Sequence, residues 1–185
     1  MPDHITRSPN NKTFFRMPDG YGHYFARTSG RVYGTMELIH FLTLLSALWY
    51  QKEPTHPFGL GDLAESDGRG MDDHKSHFDG KAVDIFTIPK DPSPTQRRKD
   101  HKNIVTWADT LLYDQKRTEK LVRLIADLRD RGFPMIQFLY NDPKISVPGL
   151  TRKGGHDEHM HILLIGKRTY SDEQIEEKMR VRHVL

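Results

Sequence analysis

Three histidines fall within the six residues His156-Asp157-Glu158-His159-Met160-His161. The residues that follow, Ile162-Leu163-Leu164-Ile165, are apolar and partly β-branched, so the segment reads as a strand. Side chains at i and i+2 of a strand share a face. His159 and His161 therefore aim two imidazoles the same way, and imidazole is the commonest protein ligand for a transition metal near neutral pH.

A second stretch adds to this pair. Ser76-His77-Phe78-Asp79-Gly80-Lys81-Ala82-Val83-Asp84-Ile85 carries a histidine and a carboxylate seven positions apart. His77 is expected in a loop, with Gly80 giving the backbone freedom to turn into a short strand over residues 82–88. Asp84 then falls inside an apolar strand, where a carboxylate is costly unless it is paired or metal-bound. Imidazoles and one carboxylate suit zinc, Zn2+, and three protein ligands leave the fourth tetrahedral position to water, the catalytic arrangement. A structural zinc site more often uses four ligands, commonly thiolates, and the chain has no cysteine. The competing reading is a set of hydrogen-bonded structural residues.

The rest of the chain must hold these groups in place. With 185 residues and 36% hydrophobic content, it fits one domain spanning residues 1–185. Residues 1–12 read as a flexible arm and 166–185 as a charged tail, helical from about Ser171. Short irregular strands are expected among the aromatics and glycines from Phe14 to Gly34. A helix is expected over 36–50, capped by Thr35, with Leu38, Ile39, Leu42, Leu45 and Trp49 on its core face. The span from Glu53 to Ser76 reads as loop. A second helix is expected over 116–131, stopped by Gly132 and Pro134, followed by a strand over 135–140 and a turn at Asn141-Asp142-Pro143. Helices with scattered strands give an α+β class: a small central antiparallel sheet carrying the zinc site, flanked by helices and long loops.

Lys and Arg total 28 against 25 Asp and Glu, a net charge of +3. That balance suits a polyanionic partner without requiring one. No aromatic–basic interleaving or DNA-binding motif is present, so no nucleic-acid partner is expected. No apolar run is long enough to span a bilayer, and Met1 to Asn11 lacks the apolar core of a signal peptide.

Two runs resemble the penicillin-insensitive murein endopeptidases. The first is Gly61-Asp62-Leu63, Gly68-Arg69-Gly70-Met71, His74-Lys75-Ser76-His77, Gly80 and Asp84-Ile85. The second is Phe138-Leu139-Tyr140-Asn141-Asp142-Pro143 with Gly155-His156-Asp157-Glu158-His159-Met160-His161. Tyr33-Gly34 and Tyr113-Asp114 also have counterparts, so the resemblance covers about residues 20–165. It implies a small zinc-bearing antiparallel sheet, with zinc held by His77, Asp84 and His161. It also implies that His159 is a general base or transition-state stabiliser, and that His74 and His156 are further active-site histidines. Lys81-Ala82-Val83 is closer to the related D-Ala-D-Ala metallopeptidases.

Zinc makes water a nucleophile near neutral pH. A neutral His159 can take its proton and pass it to the leaving amine, with Glu158 a second choice as base. Asp62 and Asp72 are candidates to orient the ligand imidazoles. The expected function is a zinc-dependent peptidoglycan endopeptidase cutting D-Ala–diaminopimelate-type cross-links between peptide stems. A D,D-carboxypeptidase and a non-catalytic wall-binding module are the alternatives. Action in the periplasm or cell wall, without a signal peptide, implies delivery by a secretion system or by phage lysis. An antibacterial effector would have an immunity protein as partner.

Overall fold

Thr35 starts the first helix: its extended backbone and its hydroxyl, which accepts from the Leu38 amide at 3.4 Å, cap one of the unpaired donors there. The computed structural model describes residues 5–26, 30–68, 77, 79–92 and 104–165. The expected tail, His74 and Asp72 lie outside these residues. Helix α1 runs Met36–Lys52 and buries the five apolar residues expected of it, together with Phe41 and Leu44. Helix α2, Gln115–Asp130, is capped by the Asp114 side chain, which accepts from the Arg117 amide at 3.0 Å. It ends as expected at Gly132. The Gly132 amide donates to the Arg129 carbonyl and the Phe133 amide to the Leu128 carbonyl, a Schellman closure with Gly132 at a positive φ of 142°.

The strands, in chain order, are β1 (Phe15–Arg16), β2 (His23–Phe25), β3 (Tyr33–Gly34), β4 (Phe58–Leu60), β5 (Ala82–Phe86), β6 (Met135–Leu139) and β7 (His159–Leu164). β1 and β3 form a small antiparallel pair, and the main sheet has the order β2-β4-β5-β7-β6. The class is α+β, as expected. The sheet is antiparallel from β4 to β6, but β2 joins its edge in parallel with β4, so it is mixed rather than wholly antiparallel. β4 itself lies in the span read as loop. Three residues, Phe58-Gly59-Leu60, are too few to show a period.

Val83 and Ile85 of β5, Met160 and Ile162 of β7 and Phe138 of β6 alternate onto one face. There they form a continuous core with Leu38, Leu42 and Leu45 of α1 and Leu121 and Ile125 of α2. Burying such side chains contributes about 1.5–3 kcal/mol each. The opposite face of β5 and β7 is thereby free to carry polar groups. Residues 1–12 were expected as a loose arm, but from Ile5 the chain is pinned. The Arg16 amide donates to the Thr6 carbonyl and the Ser8 amide to the Phe14 carbonyl, both at 2.8 Å. Among the described residues no helix is long and apolar enough to cross a membrane.

His23, at the start of β2, is buried with Nδ1 2.8 Å from Ser46 Oγ. Burial pushes its pKa down from 6.5 to about 4, against the opposite pull of the Pro18 carbonyl and the Asp19 carboxylate. The folded chain therefore keeps His23 neutral in a range where the unfolded chain protonates it, so its contribution is present above pH 6.5 and lost as pH falls toward 4. The stability gap between the natural chain and His23→Gln is expected to shrink by about 3 kcal/mol across that window. Denaturant unfolding at stepped pH measures it, and a gap independent of pH would contradict it.

Candidate metal centre

Asp84 on β5 lies directly opposite His161 on β7, and Phe86 lies opposite His159. Facing residues of an antiparallel pair share a side of the sheet, so one carboxylate and two imidazoles project together, away from the core. His161 Nδ1 is 2.9 Å from Asp84 Oδ1, and His159 Nε2 is 3.7 Å from the same oxygen. His77 enters from the loop before β5, 1% exposed, with Nε2 3.5 Å from Asp84 Oδ2. The His77 and His161 rings lie 5.1 Å apart. His156 stands beside them, its ring 5.1 Å from His159 and 5.9 Å from His161.

Local sequence explains each placement. Gly80 has φ +69°, and its carbonyl accepts from the Thr35 amide at 2.8 Å, tying the His77 loop to the start of α1. A Cβ at Gly80 would lie 2.8 Å from the Phe14 ring, so both the turn and the close approach call for glycine. Gly61 does the same behind Asp84. Its amide donates to the Asp84 carbonyl at 2.8 Å, and a Cβ there would meet the Asp84 Cβ at 3.0 Å.

The loop before β7 is clamped from two sides. Asp157 Oδ1 accepts from Trp107 Nε1 and from Asn141 Nδ2, each at 2.8 Å. The Asn141 amide donates to the His156 carbonyl at 3.0 Å, and the Thr87 amide to the Glu158 carbonyl at 3.0 Å. Behind it, Tyr113 donates to the buried Asp142 at 2.6 Å and Tyr140 to Tyr113 at 3.0 Å, fixing the turn after β6. No periodicity in the sequence marks Trp107, Asn141 and Asp157 as members of one clamp. Only the position of Asp157 between two histidines hinted at it.

Asp62 influences His77 through its charge and its main-chain carbonyl, while its carboxylate also meets Arg31 Nη1 at 3.2 Å. The Glu158 carboxylate reaches within 4.0 Å of His159 Nδ1, a contact that strand alternation did not anticipate because Glu158 precedes β7.

Burial pushes the Asp84 carboxyl up, but hydrogen bonds from His161 and His77 and the charges of His77 and His159 outweigh it. They hold Asp84 well below the usual carboxylate range. Burial pushes His77 down, and Asp84 followed by Asp62 more than restores it, so the net shift is upward. The centre is thus an anion ringed by imidazoles.

The donor set fits a cation. One ligand atom each from His77, Asp84 and His161 lie within 4.8 Å of one another, all three residues buried. Two nitrogens and one oxygen are donors that a borderline-soft divalent ion accepts. A ligand that binds only the folded chain stabilises it by about 2.7 kcal/mol at a hundredfold excess over Kd. Added zinc is therefore expected to raise the melting temperature by about 5–10 °C and to leave Asp84→Asn unmoved. An equal rise in both proteins would contradict the assignment.

A family model described as penicillin-insensitive murein endopeptidase matches residues 17–128. None of the curated proteins compared matches the chain. The matched span holds His77 and Asp84 and ends before β6 and β7, so it is strand pairing that brings His156, His159 and His161 to the same place. Covering more than half of the sequence, the match shows that the chain belongs to the penicillin-insensitive murein endopeptidase family.

Proposed function

We propose that the chain is a zinc-dependent peptidoglycan endopeptidase that hydrolyses D-Ala–diaminopimelate-type cross-links between peptide stems. The observation that carries the reading is the buried His77-Asp84-His161 group with two further histidines beside it, in a chain of a murein-hydrolysing family. His77, Asp84 and His161 would hold the ion and leave a coordination position for water. When bound, zinc supplies Lewis-acid polarisation of the peptide carbonyl and a water of lowered pKa.

The remaining steps belong to side chains of this protein. His159 is 17% exposed at its side chain and sits within reach of both the centre and solvent. Neutral, it accepts the proton of the attacking water; protonated, it returns that proton to the departing amine. His159 Nδ1 lies 4.0 Å from Glu158 and its Nε2 3.7 Å from Asp84 Oδ1, so with Asp84 engaged by an ion Glu158 would hold the proton on Nδ1 and leave Nε2 as the acceptor. His156 packs on the His159 and His161 rings, where it orients them and offers a donor to the developing oxyanion. His74 is kept as a further active-site histidine on the resemblance of its motif. Action on the cell wall is supported by the family's substrate, and the periplasm or the wall itself is the place proposed. An antibacterial effector or a phage lysin is the setting proposed, and an effector would meet an immunity protein in its producer.

Purified cross-linked muropeptide dimers are expected to be cut to monomers with zinc present. Monomeric pentapeptide is expected to lose no terminal D-Ala. Release of D-Ala without dimer cleavage would favour a D,D-carboxypeptidase, and no hydrolysis of either would favour a wall-binding module. His159→Ala is expected to lower kcat by about 10²–10⁴-fold while retaining zinc. Full activity in that variant would remove His159 from the proton transfer.

A further inference from the structure

A second concavity shares no lining residue with the histidine centre. It lies where the segment leading into β2 crosses α1, and its volume is about 520 Å³. That size is within the range of small-molecule sites. The crossing is tight: a Cβ at Gly22 would lie 1.9 Å from the Ser46 carbonyl oxygen, so only glycine lets the chain pass the helix so closely.

Its chemistry is specific. Tyr21 and Tyr50 stand at the lining with ring centroids 5.5 Å apart, 82% and 41% exposed. An exposed aromatic pair is a surface suited to an apolar ligand face with polar edges. Deeper in the lining are His23 and Thr43. His23 Nδ1 is engaged by Ser46, whereas His23 Nε2 and Thr43 Oγ1 are buried without a hydrogen bond of normal geometry. Buried polar atoms of this kind are ordinarily satisfied. Among the described residues, the lining contains no Lys or Arg, and Asp19 is its one acid.

We propose that this cavity is a glycan subsite that takes an N-acetylated hexosamine of the murein strand, an assignment that rests on the murein-hydrolase reading above. The tyrosine rings offer a stacking surface to the C–H face of a pyranose. The acetamido group brings both a carbonyl acceptor and an N–H donor to a site whose buried polar atoms include the Thr43 hydroxyl and the His23 imidazole. Gln51 and Asp19 are placed to meet sugar hydroxyls at the rim. A peptide stem is the poorer occupant: the cation nearest the rim, Arg16, is already engaged by Asp19 at 3.7 Å and by the Met17 carbonyl, so a free carboxylate would have to compete for it. The subsite would hold the glycan strand while the metal centre works on the attached cross-link.

Chitotetraose, titrated into the full chain by calorimetry or NMR, tests this. The natural protein is expected to bind it, and the double variant Tyr21→Ala/Tyr50→Ala to bind at least about tenfold more weakly. Because both side chains are exposed, the double variant is expected to melt within a few degrees of the natural protein. No binding by the natural protein, or equal binding by the folded double variant, would overturn the subsite. So would binding of a sugar-free stem peptide in its place. Cleavage of a sugar-free cross-linked peptide by the unaltered chain reports separately on the hydrolase reading, so the two can fail independently.

Discussion

The register of β5 against β7 is the constraint on which the centre depends. Asp84 faces His161, and the neighbouring residues Val83 and Ile85 face Ile162 and Met160 on the other side. A slip of one residue would turn every side chain over, driving the carboxylate and imidazoles into the core and the aliphatic groups out. The apolar face therefore fixes the polar one. What keeps the core packed also keeps Asp84 within 2.9 Å of His161.

That arrangement concentrates groups that are costly to bury. The carboxylate is nearly inaccessible and is held ionised by surrounding imidazoles. Removing one partner from such a cluster leaves the others uncompensated. The surrounding structure resists this by ordinary means: a helix cap that anchors the His77 loop through Gly80, and an aspartate, Asp157, that gathers Trp107 and Asn141 around the His156 loop. Side chains that could hold a metal need such outer partners to keep their orientation. Here those partners come from segments far apart in the chain.

Much of this was legible in the sequence. The i, i+2 spacing of His159 and His161 gave a shared face without reference to any partner strand, and an isolated aspartate among aliphatic residues marked Asp84. Capping residues located both helices to within two residues of their observed ends. Other features depend on tertiary pairing and leave little local trace. β4 is three residues long and contains a glycine. The parallel edge formed by β2 follows from where the chain returns after α1, not from any pattern within His23–Phe25. The clamp on Asp157 joins residues 50 and 16 positions away, which no periodicity reveals.

The central claim is that Asp84 and the histidines around it form a metal-binding centre, and metal stoichiometry tests it most directly. Mass-spectrometric metal analysis of the purified chain and of His161→Ala should find about one zinc ion per chain in the former and little in the latter. No tightly held metal in either protein, or the same content in both, would contradict the account.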